Sequence, residues 1–445
     1  MGAFMRKGVI AVLALLLMVS FAWAGGGTFS WQQAKGSSIT VAMNLGAESD
    51  FIGNALPKFE ALTGIKVDYQ PFPELELHEK TLVAFTAHAG LYDIVMQDFM
   101  FTPQYAKAGF TLPLDDFIND PSLTDKAWYK PEDFLKGLWS AMQYDGKTMA
   151  IPLTGETTLL QYREDLFKAK GLRVPTTFDE LWAAAKALNN PPQIYGIGLR
   201  GQRGQGMNIF TWTQFFRGFG GKFFKDFPKD MTPTVNTPEA VKATQFYADI
   251  LKNFGPPGVA NWTNMDMYAA QQTGKIAMTM DANAFGPIID DPAKSKTAGK
   301  WRYAVVPGGP GGPAPAIYTH CLSMAADSKN KTAAWLFISW VTGPEMTKAR
   351  GFATGVPTRE STWTDAEYMA KLTSVGAGTY TKATAESMKI ADGQYRPIFP
   401  NWREMGDILG IAVQSVIAGS ATAQDAMDRA QKDITAMLVN NGYLQ

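Results

Sequence analysis

Three hydrophobic periodicities run along the chain. The first is an unbroken apolar run, Val9 to Ala22, with Arg6 and Lys7 before it and Ala22-Trp23-Ala24 at its end. A positive start, a short apolar stretch and a small-x-small site make a cleavable secretory leader. A membrane span needs about 20 apolar residues, more than this run supplies. The expectation is a signal peptide over 1–24 and a flexible lead over 25–36. Gly25 stands where a lipid-anchored form would need Cys, so a soluble periplasmic protein is expected.

The second and third periods alternate after residue 37. Ile39–Asn44 is β-branched and extended; Ile52, Ala55, Leu56, Phe59 and Leu62 then recur at helical spacing up to Gly64. Ser49 or Asp50 offers an N-cap for that helix. A strand over 65–72, a helix around 76–88 and the strand Asp93–Asp98 complete β-α-β-α-β. Strand and helix in alternation imply a parallel sheet with right-handed crossovers. Asp145-Gly146 between two extended pieces reads as a hairpin turn. Strands are expected at 157–162, 195–200, 275–281 and 320–327. Helices are expected at 178–188, 238–254, 332–341, 402–418 and 423–440. Thr177 caps the first of these helices, and Pro307–Pro315 reads as a connecting loop.

Composition narrows the class. A chain of 445 residues with one cysteine, Cys321, has no internal disulfide and must rely on a large apolar core in two or more domains. Basic and acidic residues number 41 each, and loss of Arg6 and Lys7 with the leader leaves a net charge near −2. No basic stripe appears, so nucleic acid is not an expected partner. Aromatics reach 12%; most belong to a core, and a few could stack on a flat ligand.

Tests for chemistry are mostly negative. Gly146-Lys147-Thr148 lacks the first glycine of a phosphate loop and leads into an extended piece containing Pro152, whereas a phosphate loop opens a helix. No serine sits in a nucleophile elbow. His78, His88 and His320 have no metal-ligand spacing, and His78 and His88 read as surface residues. No metal or cofactor is expected. Glu48, Glu156, Asp98 and Asp281 leave a two-carboxylate glycoside hydrolase open. The positive pattern is polar and aromatic residues at the ends of expected strands: Asn44, then Gln97, Asp98 and Phe99, then Asp281. In open α/β sheets that edge binds ligands. Carboxylates and amides there suit a ligand rich in hydroxyls.

Several ordered motifs resemble one family. They are Lys58-Phe59-Glu60 with Gly64-Ile65-Lys66-Val67, Tyr92-Asp93-Ile94-Val95, Gly146-Lys147 with Ala150-Ile151-Pro152, and Gln161-Tyr162-Arg163 with Asp165-Leu166-Phe167. With Gly274-Lys275-Ile276-Ala277-Met278 they are similar to the solute-binding proteins of ABC sugar importers, the maltose-binding-protein group. Tyr195-Gly196-Ile197, Phe219-Gly220-Gly221 and the 247–258 segment look most like sorbitol and mannitol binders.

The resemblance implies an α/β fold of two lobes, each a mainly parallel sheet flanked by helices, joined by hinge strands near Pro152, Ile317 and Pro357. Lobe one would be 37–150 plus 318–356, and lobe two 154–316 plus 360–445. Family cleft positions map onto Asn44, Gly46 to Glu48, Gln97, Asp98, Phe99, Glu156, Asn208, Phe210, Asp281, Asn283, Tyr318, His320 and Trp402. In similar polyol binders a Trp stands where this chain has His320. The implied protein is a monomer that binds a polyol or sugar and docks on ABC permease subunits without catalysis. Asp281→Ala is expected to abolish binding without unfolding the chain.

Overall fold

The computed structural model describes residues 28–392 and 394–444. The expected leader over 1–24 lies outside them. Thirteen strands occur among the described residues. The first sheet is built from β1 (Ser38–Asn44), β2 (Lys66–Phe72) and β3 (Ile94–Asp98). A short hairpin follows, β4 (Gln143–Tyr144) with β5 (Lys147–Thr148), turning through Asp145 at φ 50 and Gly146 at φ 71. Two positive φ values at Asp-Gly define the expected primed turn. Then come β6 (Ile151–Pro152), β7 (Glu156–Arg163), the pair β8 (Phe224–Asp226) and β9 (Asp230–Pro233), β10 (Met278–Ala282) and β11 (Trp301–Ala304). Last are β12 (Ile317–Tyr318) and β13 (His320–Met324).

The first sheet has the order β2-β1-β3-β13-β6. β1 pairs in parallel with β2 and β3, as the alternating pattern predicts, and β13 closes antiparallel on β3 with His320 opposite Asp98. β3 is central and buried at every residue, which explains its unbroken Ile94-Val95-Met96 run. The helix Ala47–Thr63 turns Ile52, Ala55 and Phe59 inward and ends at Gly64 in the left-handed region. It starts at Gly46, ahead of the expected caps, which puts Glu48 and Asp50 in its positive first turn. The helix Lys331–Val341 is buried from Ala333 to Val341 in the same core.

The expected flexible lead is corrected by the structure. Residues 31–36 form hydrogen-bonded turns, and Gly36 N–H donates to the Gly64 carbonyl at 3.0 Å. Trp31 stacks edge-on against Trp128 at 5.1 Å. A large apolar ring facing an apolar surface packs against it, and Trp31 is half-buried whatever glycines precede it.

The second body is centred on β7. β10, β11 and β12 all pair with β7 antiparallel, so the expectation of a mainly parallel sheet in both lobes fails here. The extended piece from Tyr195 runs parallel beside the strand region starting at Lys275, through Tyr195 N–H to Lys275 O and Gly198 N–H to Met278 O. It forms no regular strand: beyond the 275–278 side, Ile197 N–H bonds the Phe254 carbonyl, while Gly196 N–H and the Arg200 carbonyl are taken by the Asn189 and Tyr247 side chains. Helices Phe178–Leu188, Asn208–Gly218, Pro238–Phe254, Trp402–Ile417 and Ala423–Asn440 surround this sheet. Thr177 and Glu180 make a reciprocal capping box at the first of them. The aromatic surplus sits in this core, where Phe178, Trp212, Phe215, Phe216, Phe223 and Trp402 interlock.

The chain passes between the two sheets in very few residues. Only 153–155 separate β6 from β7, and only Thr319 separates β12 from β13. Gly155 is forced at the first passage, since a Cβ there would lie 3.0 Å from both Leu138 Cδ1 and the Pro357 carbonyl. Gly155 N–H donates to the Val356 carbonyl, which binds the third passage to the first.

Candidate functional site

A cleft of about 120 Å³ opens between the end of the first sheet and the second body, beside these passages. The first sheet contributes Asn44 at the end of β1, the Gly46–Glu48 turn, and Glu74 opening the helix Glu74–Thr86. The passages contribute Glu156, Tyr318 and His320; the second body contributes Arg200, Phe210, Tyr268 and Phe285. Strand ends and helix starts meet here because both leave backbone and side-chain polar groups without partners inside their own element.

His320 is the hub. Its Nε2 lies 2.9 Å from the Tyr318 hydroxyl and 3.3 Å from the Asn44 amide nitrogen. Burial, reinforced by Arg200, holds the imidazole neutral, with a pKa pushed down to about 3. The Tyr318 hydroxyl is also within hydrogen-bonding reach of Asp98, so either ring nitrogen can carry the proton. Nδ1 is buried without a hydrogen-bond partner among the described residues, and the nearest carboxylate oxygen among them, Glu156 Oε1, is 4.0 Å away. Burial, helped by the nearby Glu48 carboxyl, raises Glu156 to about 8. Burial and Asp98 raise Glu74 to about 7, and burial raises Glu48. A neutral carboxyl both donates and accepts, so at neutral pH Glu156 presents both polarities to the cleft.

Arg200 is the cleft's cation. Its Nε donates to Asp281 Oδ2 at 3.0 Å, its Nη2 to Asp281 Oδ1, and its Nη1 to the Gly206 carbonyl at 2.7 Å. Its guanidinium lies 4.8 Å from the Phe210 ring centre. Gly206 lets Glu74 approach closely, since a Cβ there would come within 2.4 Å of Glu74 Oε1 and displace its carboxyl.

Of the residues chosen from sequence, Asn44, Gly46, Glu48, Glu156, Phe210, Tyr318 and His320 line the cleft. The others are placed behind it. Asp281 is fully buried and spent on Arg200. Asn283 accepts from Thr157 N–H at 3.0 Å, and Asn208 donates to the Gly410 carbonyl at 2.9 Å. Gln97 donates to Ser323 Oγ at 2.9 Å, inside the first body. Asp98 accepts from Met100 N–H and from Gln205 Nε2 at 2.8 Å, with Arg396 Nη2 at 3.9 Å. Trp402 is core and donates to Gln205 Oε1, and Phe99 supports Tyr318 edge-on. Glu74, Arg200, Tyr268 and Phe285 were not anticipated. The strand-end rule, applied to 65–72 and 195–200, would have reached Glu74 and Arg200; Tyr268 and Phe285 carry no local signal. His78, expected at the surface, is buried edge-on against Phe101 at 4.3 Å, and burial lowers its pKa to about 3. Among the described residues no group of side chains is arranged to hold a metal, and no helix is long and apolar enough to cross a membrane.

Residues 44–348 match the family described as bacterial extracellular solute-binding protein. The chain belongs to that family. A solute-binding protein presents a cleft between lobes and performs no catalysis, so the hydrolase reading of its carboxylates falls away. The mannitol-binding protein of Pseudomonas aeruginosa is 26% identical over 405 residues, covering 86% of this chain and 89% of its own. A solute-binding protein from Agrobacterium radiobacter, solved in complex with ribitol, superposes with a TM-score of 0.83 at 29% identity, over 90% of this chain and 98% of its own. One from Agrobacterium vitis with bound D-mannitol gives 0.81 at 28% identity, over 92% and 100%. The two-lobed architecture expected of this solute-binding protein is thereby established.

Proposed function

We propose that this solute-binding protein captures a sugar alcohol in the cleft and delivers it to the membrane subunits of an ABC importer from the periplasm, as a monomer. The lobes are taken as 37–150 plus 318–356 and 154–316 plus 360–445. The carrying observation is the small cleft whose rim combines three carboxyls, an amide, an imidazole and a guanidinium with the Phe210, Tyr268 and Tyr318 rings. Such a rim offers donors and acceptors on all sides, which an open-chain polyol, a donor and acceptor at every carbon, satisfies in full. Its volume favours a compact ligand over an oligosaccharide. Relatives and structural neighbours that bind mannitol and ribitol support the same class. A ligand touching both lobes binds the closed form better and shifts the population toward it. A thermal-shift screen with mannitol, sorbitol, ribitol, arabitol, xylitol and common sugars tests the reading. One polyol should raise the melting temperature by several degrees and be recovered unchanged. No response to any polyol, with a clear response to a sugar, overturns it.

A further inference from the structure

Glu156 and His320 open β7 and β13, one on each side of the passages between the lobes, and Tyr318 opposite Glu156 in the β12–β7 pair fixes their separation. His320 Nδ1 is buried without a partner among the described residues. Its separation from Glu156 Oε1, 4.0 Å, is too long for a hydrogen bond. Two hydrogen bonds of about 2.8 Å that meet at one oxygen at about 90–105° span about 4.0–4.4 Å. The spacing is therefore the one a single bridging oxygen requires. That oxygen must donate to one of the two groups and accept from the other. A hydroxyl does both; an ether or carbonyl oxygen only accepts.

We propose, resting on the reading of the cleft as a polyol site, that His320 Nδ1 and Glu156 Oε1 clasp one hydroxyl of the ligand between them. His320 is then a specificity-determining residue, and Asn44 and Tyr318, both within hydrogen-bond distance of its Nε2, are the positioning residues that hold the ring with Nδ1 toward Glu156. The clasp lies at the hinge end of the cleft, so it is reached while the lobes are apart and tightens as they close. Its consequence is selectivity by position: the cleft demands a hydroxyl at one carbon and rejects the analogue lacking it, because both clasp groups are then left buried and unpartnered.

Isothermal calorimetry on the full mature chain tests this with D-mannitol and ribitol and with their mono-deoxy analogues. In the wild type one deoxy position should lose about tenfold to hundredfold in affinity, the others much less. His320→Phe should weaken the parent polyol by the same factor, yet bind that one deoxy analogue as the wild type does. Glu156→Gln, which keeps an accepting oxygen, should retain most affinity, whereas Glu156→Met should not. Equal loss of every analogue in His320→Phe, or no loss of any, overturns the clasp; the latter would mean water alone bridges the two groups. A wild type that binds no polyol overturns the proposed function, and the clasp with it.

Discussion

Asp281 stands at the end of β10, where sequence reasoning expects a ligand contact, yet its carboxylate never reaches the cleft. Asp281→Ala removes both charge-assisted bonds to Arg200 and the bond from Ala282 N–H at 2.7 Å. The guanidinium it leaves is itself buried, its side chain 7% exposed. Breaking a buried pair by deleting one partner costs about 3–5 kcal/mol. Against a typical total of about 5–15 kcal/mol, the variant should fold but with much of its margin gone. The expectation that Asp281→Ala does not unfold the chain is thereby narrowed: the variant folds, with a reduced margin. Urea titration followed by tryptophan fluorescence measures the cost. Binding should weaken as well, since Arg200 loses the group that aims it along Phe210. The decisive comparison is Arg200→Met with Asp281→Leu in one chain. With no charge left unpaired, the double variant should be more stable than either single change. A loss under about 1 kcal/mol for Asp281→Ala, or a double variant as unstable as the singles summed, would refute the reasoning.

Stability without ligand should peak at about pH 5.5, where proton uptake by the folded carboxyls and by the unfolded histidines cancels. Glu156 is raised from 4.5 to about 8 and Glu74 from 4.5 to about 7, so the folded chain holds extra protons and stability falls as pH rises toward 8. His320 and His78 are lowered from 6.5 to about 3, so the unfolded chain binds extra protons there, and below about pH 5.5 this outweighs the carboxyls and stability falls as pH drops. Thermal melts across pH 4 to 9 read both limbs, and Glu156→Gln should flatten the alkaline one. Trp31→Ala should cost about 2–3 kcal/mol in the same urea assay, because it removes a ring packed on Trp128; no loss would return residues 28–36 to a flexible lead. Asp98→Ala should bias the ligand-free protein toward an open shape, because Asp98 on the first sheet and Gln205 on the second body are hydrogen-bonded across the cleft at 2.8 Å. Small-angle scattering should then give a larger radius of gyration for the variant, and an unchanged one would deny Asp98 that role.

Local order was legible in the sequence. The helix Pro238–Phe254, the Thr177–Glu180 box and the Asp145-Gly146 turn each depend on residues within a few positions of one another, and each is found where its pattern sets it. Long-range pairing was not legible. Whether 195–200 becomes a regular strand depends on neighbours at 254 and 275–278, and nothing in those six residues reveals them. Asp281 shows the same limit at the site. Its place at a strand end was readable, but its partner lies 81 residues away, and that partner decides whether it meets ligand or anchors an arginine. Trp31 was misjudged because glycines around it were read as freedom, while the ring's burial depends on Trp128, far along the chain.

The late arrival of β13 also sets the order in which this chain can fold. β3 lies between β1 and β13, and Gln97 meets Ser323 across 226 residues. Until that stretch has been synthesised, the first sheet has an open edge at its most apolar strand. Contacts of such sequence separation make folding slow. An apolar edge left open for that long invites pairing with other chains. The family works outside the cytoplasm, so a slow first sheet keeps the chain extended during transit, and its survival depends on being shielded until residue 324 has emerged.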